Sequence, residues 1–250
     1  MRESMIKPKT PFFVVNPKSY LFGKEIFEFA LQVDKIANEL DLQIYFTCPY
    51  TDIRYISNIT NSIIVCAQSM DPIIPGRGMG LILPESLKDA GAKAVFLNHA
   101  ENKKTVTELN KCIQRTKELD MISIVCADSP KEANAVACMN PDIIVAEPTD
   151  KIGSREIADD SYIIEVVQSL HRQFPNILVN IASGISTAED CYHVIRLGAD
   201  GTGATSGILT AKNPVQQVRE MVKAVKKASR ENEEDRKNSF RSFTTNSPHF

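Results

Sequence analysis

The chain has 250 residues, 43% hydrophobic and 24% charged, with a formal net charge of -2. That is ordinary globular composition, at a length that suits one large α/β domain or two smaller ones. The near-neutral balance removes the electrostatic case for nucleic acid or an anionic membrane surface, and no run approaches the ~18 apolar residues of a membrane span.

Apolar runs recur between amphipathic segments along the chain. The first is FFVVN (12–16), followed by the helical pattern KEIFEFALQVDKIANEL (24–40). There Ile26, Phe29, Ala30, Val33, Ile36 and Ala37 form one stripe. Then come QIYFT (43–47), IIVCA (63–67), AVFLN (94–98) and the helix TELNKCIQRTKEL (107–119). ISIVC (122–126) and IIVAE (143–147) precede the helix SYIIEVVQSLHRQF (161–174). ILVNI (177–181) leads to TAEDCYHVIRLG (187–198), and DGTGA (200–204) to NPVQQVREMVKAV (213–225). The first seven runs are β-branched or aromatic and nearly continuous in hydrophobicity, as strands buried on both faces require. Thr187 and Asn213 are N-cap residues by type and place, and Gly198 is a C-terminal stop.

Alternating strands and helices give a parallel sheet. Eight such units in this length fit a closed (β/α)8 barrel better than an open, doubly wound sheet, so the fold expected is a single α/β domain. Its span is 1–229. Residues 230–250 are polar, lack helical periodicity and read as a flexible tail, in which Phe240, Phe243 and Phe250 are the apolar points a partner would hold.

The six cysteines form no CxxC pair and have no His at zinc-site spacing, so no metal is expected. The opening MRESMIKPKTPFF lacks the apolar core of a signal peptide. A reduced, cytoplasmic protein follows as the expectation.

In a barrel, chemistry sits at the C-terminal strand ends. Strand 1 ends at Asn16 and Lys18, two residues apart and so facing one side of an extended chain. Strand 4 ends at Asn98, His99 and Glu101, and strand 6 at Glu147. After strands 7 and 8 come ASGIS (182–186) and GATSG (203–207), whose small residues let backbone N–H groups approach a phosphate. Each has a plainer reading: a structural histidine, a solvated lysine, glycines in tight turns. Glu147 resists it, because a carboxylate after four apolar residues needs a partner or a task.

NPKSY, NHAEN, EPTDKIGS, SGIS and GADGTGATSGI, in this order over residues 12–225, resemble the triosephosphate isomerase family. LNHAE, PGRGMG and GISTAED resemble its shorter archaeal-type branch. The resemblance implies a TIM barrel interconverting D-glyceraldehyde 3-phosphate and dihydroxyacetone phosphate through an enediolate. Glu147 would be the base, His99 the hydrogen-bond donor and Lys18 the neutralising cation, with Asn16 and Lys18 together holding the substrate. This pairing of a carboxylate base with a neutral histidine is taken over from the family. Gly153 in the lid PTDKIGS, with Ser186, Thr205 and Ser206, would bind the phosphate. No cofactor or metal is implied. The loop DPIIPGRGMG (71–80), which in the family reaches the neighbour's site, implies a homodimer or homotetramer.

Several positions depart from the family pattern. Ala100 stands where a Ser is usual, Asn102-Lys103 where an Arg is, Ser154-Arg155 at the lid's end, Met79 in place of a Thr, and Thr205-Ser206 after strand 8. A four-carbon erythrulose phosphate is therefore the alternative substrate. A lyase using Lys18 as a Schiff base is the alternative chemistry, testable by borohydride trapping.

Overall fold

A computed structural model describes residues 6–148, 157–182 and 184–245. Eight parallel strands close on themselves in chain order, with β1 pairing both β2 and β8. They are β1 (Phe12–Val15), β2 (Gln43–Cys48), β3 (Ile64–Ala67), β4 (Ala94–Leu97), β5 (Ile122–Ala127), β6 (Ile143–Ala146), β7 (Leu178–Ile181) and β8 (Gly201–Ala204). The expected single-domain (β/α)8 barrel is the observed one, and the open sheet is excluded by the β1–β8 ladder.

The continuous hydrophobicity of the strands has a direct cause. Phe12, Val14, Tyr45, Ile64, Cys66, Phe96, Ile124 and Val145 point into the lumen, and their neighbours Phe13, Val15, Ile44, Phe46, Val65 and Val95 point out to the helices. Both faces are buried, so both parities are apolar. β8 departs in composition because the lumen there is full. A Cβ on Gly201 would lie 2.3 Å from the Phe12 ring, and one on Gly203 would lie 2.4 Å from the Val14 carbonyl oxygen.

The helical shell comprises α1 (Gly23–Leu40), α2 (Ile53–Ile59), α3 (Pro84–Asp89), α4 (Val106–Glu118), α5 (Pro130–Ala137), α6 (Asp160–Gln173), α7 (Ala188–Arg196), α8 (Ser206–Leu209) and α9 (Pro214–Thr245). The whole expected stripe of α1 is buried. Thr187 caps α7 in a reciprocal capping box with Asp190, and Asn213 Oδ1 accepts from the Gln216 N–H. Gly198 follows α7 with φ 105°, as its place in the sequence demands.

α9 does not end near residue 229 but continues to Thr245. Side-chain bonding to α7 replaces the missing apolar stripe. Arg196 donates to Asn232 Oδ1 and Asp235 Oδ2, Asn232 Nδ2 donates to the Ile195 carbonyl, and the Tyr192 hydroxyl donates to Glu231. Among the described residues no helix is long and apolar enough to cross a membrane.

Candidate active site

The strand ends β1, β4, β6, β7 and β8 surround a cavity of about 250 Å³. Its lining includes Asn16, Lys18, His99, Glu147, Thr205 and Ser206. A second, polar lobe of about 190 Å³ shares Asn16, Lys18, His99 and Glu101 and extends to Thr47, Tyr50 and Gln68.

Lys18 reaches this place on an unusual backbone. It sits at φ 50°, a left-handed conformation uncommon for a side-chain-bearing residue. Two contacts hold it there: its N–H donates to Asn16 Oδ1 at 3.0 Å, and its carbonyl accepts from Gln68 Nε2 at 2.7 Å. The Thr47 hydroxyl donates to the same Asn16 Oδ1. Asn16 thus organises the turn that aims Lys18, and the ammonium lies 2.6 Å from Glu101 Oε1. A lysine so paired is an electrostatic group rather than a free amine, which weighs against Schiff-base chemistry.

His99 is the next group in. Its Nδ1 accepts from the main-chain N–H of Glu101 at 3.1 Å. A backbone N–H is only a donor, so a neutral ring here carries its proton on Nε2. Nε2 faces Glu147 Oε2 across 3.6 Å, too far for a hydrogen bond, so both groups can turn to a molecule lying beside them in the cavity. Burial, with the Lys18 and Lys103 cations, lowers the His99 pKa against the opposing charge of Glu101. Burial raises the pKa of Glu147, with Glu101 adding to the shift while Lys18 and Lys103 oppose it. Burial thus favours the neutral form of both groups, which suits His99 as an uncharged donor and moves the base closer to neutral pH.

Asn98, expected at the rim, is instead a buried structural knot. Its Nδ2 donates to the Cys126 carbonyl and Glu132, and its Oδ1 accepts from the Lys104 N–H. Thr205 and Ser206 open the short α8 at the cavity wall, where the Ile208 and Leu209 N–H groups donate back to the Thr205 carbonyl. The Ser186 N–H donates to Asp190 Oδ2 at 2.9 Å. Gly153 lies outside the described residues, as do all positions of the expected lid PTDKIGS after its first.

Sequence reasoning missed Thr47, Gln68 and the partner role of Glu101. The signal was present for two of them, since Thr47 and Gln68 are polar residues at the ends of β2 and β3, where the strand-end rule applies. Among the described residues no cluster of His, Cys, Asp and Glu has the geometry of a metal site.

The model of the family described as triosephosphate isomerase matches residues 11–225. The triosephosphate isomerase of Sulfurisphaera tokodaii is 33% identical, over 86% of this chain and 95% of its own. That of Sulfolobus acidocaldarius is 33% identical over 88% and 97%, and that of Methanothermus fervidus 31% identical over 85% and 97%. The chain therefore belongs to the triosephosphate isomerase family, on its archaeal-type side.

Proposed function

We propose that this chain is an isomerase interconverting D-glyceraldehyde 3-phosphate and dihydroxyacetone phosphate. The observation that carries the reading is the His99–Glu147 pair, facing across 3.6 Å beside the Lys18 ammonium in one cavity. Family membership supports it independently. Glu147 removes the carbon-bound proton α to the carbonyl. His99 Nε2–H hydrogen-bonds the carbonyl oxygen as charge develops and passes protons between the two enediolate oxygens. Lys18 neutralises that charge, released from Glu101 as substrate enters. The phosphate is assigned to the N–H groups of Thr205 and Ser206, with Ser186 and Gly153 completing the cradle. Ser186 joins only if its N–H leaves Asp190. Each step is a proton transfer within one substrate, so it needs no cofactor.

The barrel, residues 1–229, carries this chemistry, and the polar segment 230–250 is assigned no part in it. A homo-oligomer is part of the same reading: Tyr20, Phe22 and Met79 are 70%, 69% and 103% exposed, on the two loops beside the polar lobe. A second copy accounts for that apolar surface. The cytoplasm is the compartment proposed, since all six cysteines are free thiols.

A coupled assay across three- and four-carbon sugar phosphates tests the function. Turnover of the triose phosphates is expected. Turnover confined to a tetrulose phosphate would overturn the substrate assignment.

A further inference from the structure

The lumen of the barrel is apolar along most of its height, and a polar side chain on β7 interrupts it. Asn180 stands between the inward-facing Leu178 and Ala182, and its sheet partners Val145 and Gly201 supply no polar side chain. It is 1% exposed, and its Oδ1 has no hydrogen-bond partner among the described residues. Thr47, Asn98, Thr116, Ser123 and Thr202, all 3% exposed or less, each find one, and among the described residues Ser69 is the other buried residue of this kind whose side-chain oxygen does not. Native proteins rarely leave a buried carboxamide oxygen unanswered, because its lost hydration is then uncompensated. A leucine would fill the same volume without that loss.

The position of Asn180 says where the missing partner belongs. Asn180 lines the same cavity as His99 and Glu147. In the sheet it pairs with Val145, two residues before Glu147 on the same inward face, so it lies one layer beneath the base. On its other side it pairs with Gly201, and Gly203 above that offers no side chain to bond. As the side chain stands, Oδ1 is closed off from the open volume, but the Cβ–Cγ torsion of asparagine is soft and turns the oxygen toward the cavity at small cost.

We propose that Asn180 is a further positioning residue of this site: its Oδ1 accepts a hydrogen bond from a hydroxyl at the cavity floor beneath Glu147. That hydroxyl belongs either to the carbon chain of the substrate or to a water held under the base. The inference rests on the sugar-phosphate reading of the cavity. It adds to that reading a contact from a strand interior rather than from a loop.

The test is Asn180→Leu in the full chain, read by turnover against pH and by direct binding of two probes. sn-Glycerol 3-phosphate carries hydroxyls and propyl phosphate carries none. If the donor is a substrate hydroxyl, the wild-type preference for glycerol 3-phosphate falls roughly tenfold in the variant. If the donor is a water, the preference stays, while kcat falls and the acid limb of the pH profile moves upward as Glu147 loses a polar neighbour. Unchanged preference, turnover and pH profile together would overturn the proposal and leave Asn180 a structural residue. Asn180→Ala, which deletes the carboxamide without adding bulk, carries the same comparison should the leucine variant fail to fold. Probe binding is read without turnover, so a wild type that binds glycerol 3-phosphate but does not isomerise would sink the proposed reaction and not this contact.

Discussion

The main-chain N–H of Glu101 donates to His99 Nδ1 at 3.1 Å, and this one contact decides which ring nitrogen presents a proton to the cavity. Burial and the Lys18 cation favour the neutral ring, in which Nε2–H is a donor and not a charge. Nitrogen NMR of His99 should show mainly the neutral, Nε2-protonated form at pH 7 and above, with its protonation midpoint below the usual ~6.5. A doubly protonated ring at pH 7 would contradict the assignment. His99→Gln should lower kcat by about 10²–10⁴-fold, the range of a lost general acid.

Glu147→Gln should abolish isomerisation while stabilising the fold. The amide cannot take a proton, so a loss of several orders of magnitude is expected. Retention of more than about a tenth of the rate, a cost under ~1.4 kcal/mol, would remove Glu147 from the role of base. The stability effect follows from the raised folded-state pKa. The fold prefers the neutral carboxyl, so that stability is complete below the unfolded value near ~4.3 and is lost as pH rises through the folded one. The variant should therefore melt above wild type at pH 7 to 8, with the gap closing toward pH 4.

Much of the site was legible because barrel topology converts a strand's last residues into rim positions. The placement of Lys18, His99 and Glu147 around one cavity was readable that way, without knowledge of their contacts. Asn180 lies inside ILVNI, and only the lumen parity of β7, which follows from the closed sheet, separates it from a residue facing the helices. The left-handed backbone of Lys18 leaves no mark in the sequence, since it is imposed by Asn16 and Gln68 from two different strand ends. α2, α3 and α5 span at most eight residues, too short for a hydrophobic period to emerge. The extension of α9 past residue 230 escaped for the opposite reason. Its side chains bond to Tyr192 and Arg196 instead of burying an apolar stripe.

Lys18→Met separates the two uses of the ammonium. Loss of a charge-assisted contact should weaken phosphoglycolate binding about 10- to 100-fold. It should also move the acid limb of kcat/KM to higher pH. Lys18 lowers the pKa of both Glu147 and His99, so its removal lets both rise, and more alkali is needed to ionise the base and to neutralise the ring. An unshifted limb with weakened binding would confine Lys18 to phosphate recognition.

Assembly is tested at Met79, whose side chain is fully exposed at the tip of the loop between β3 and α3. Ile74 and Leu81 on the same loop are 66% and 51% exposed, and Tyr20 and Phe22 stand out from the loop after β1. A second copy covering these exposed side chains is the contact proposed above. The polar lobe beside Lys18, about 190 Å³ and bounded by Thr47, Tyr50 and Gln68, is a recess that a loop tip can enter. Methionine is unbranched and fills irregular recesses, but it supplies no hydroxyl, so the contact it makes is by packing. Wild type should sediment as a dimer or larger species at micromolar concentration. Met79→Asp buries a charge at that contact, so it should shift the protein toward monomer and lower turnover together, because the Lys18 turn loses its outer support. A fully active wild-type monomer at micromolar concentration would end the idea. A Met79→Asp protein that stays oligomeric and active would place the contact elsewhere on the barrel.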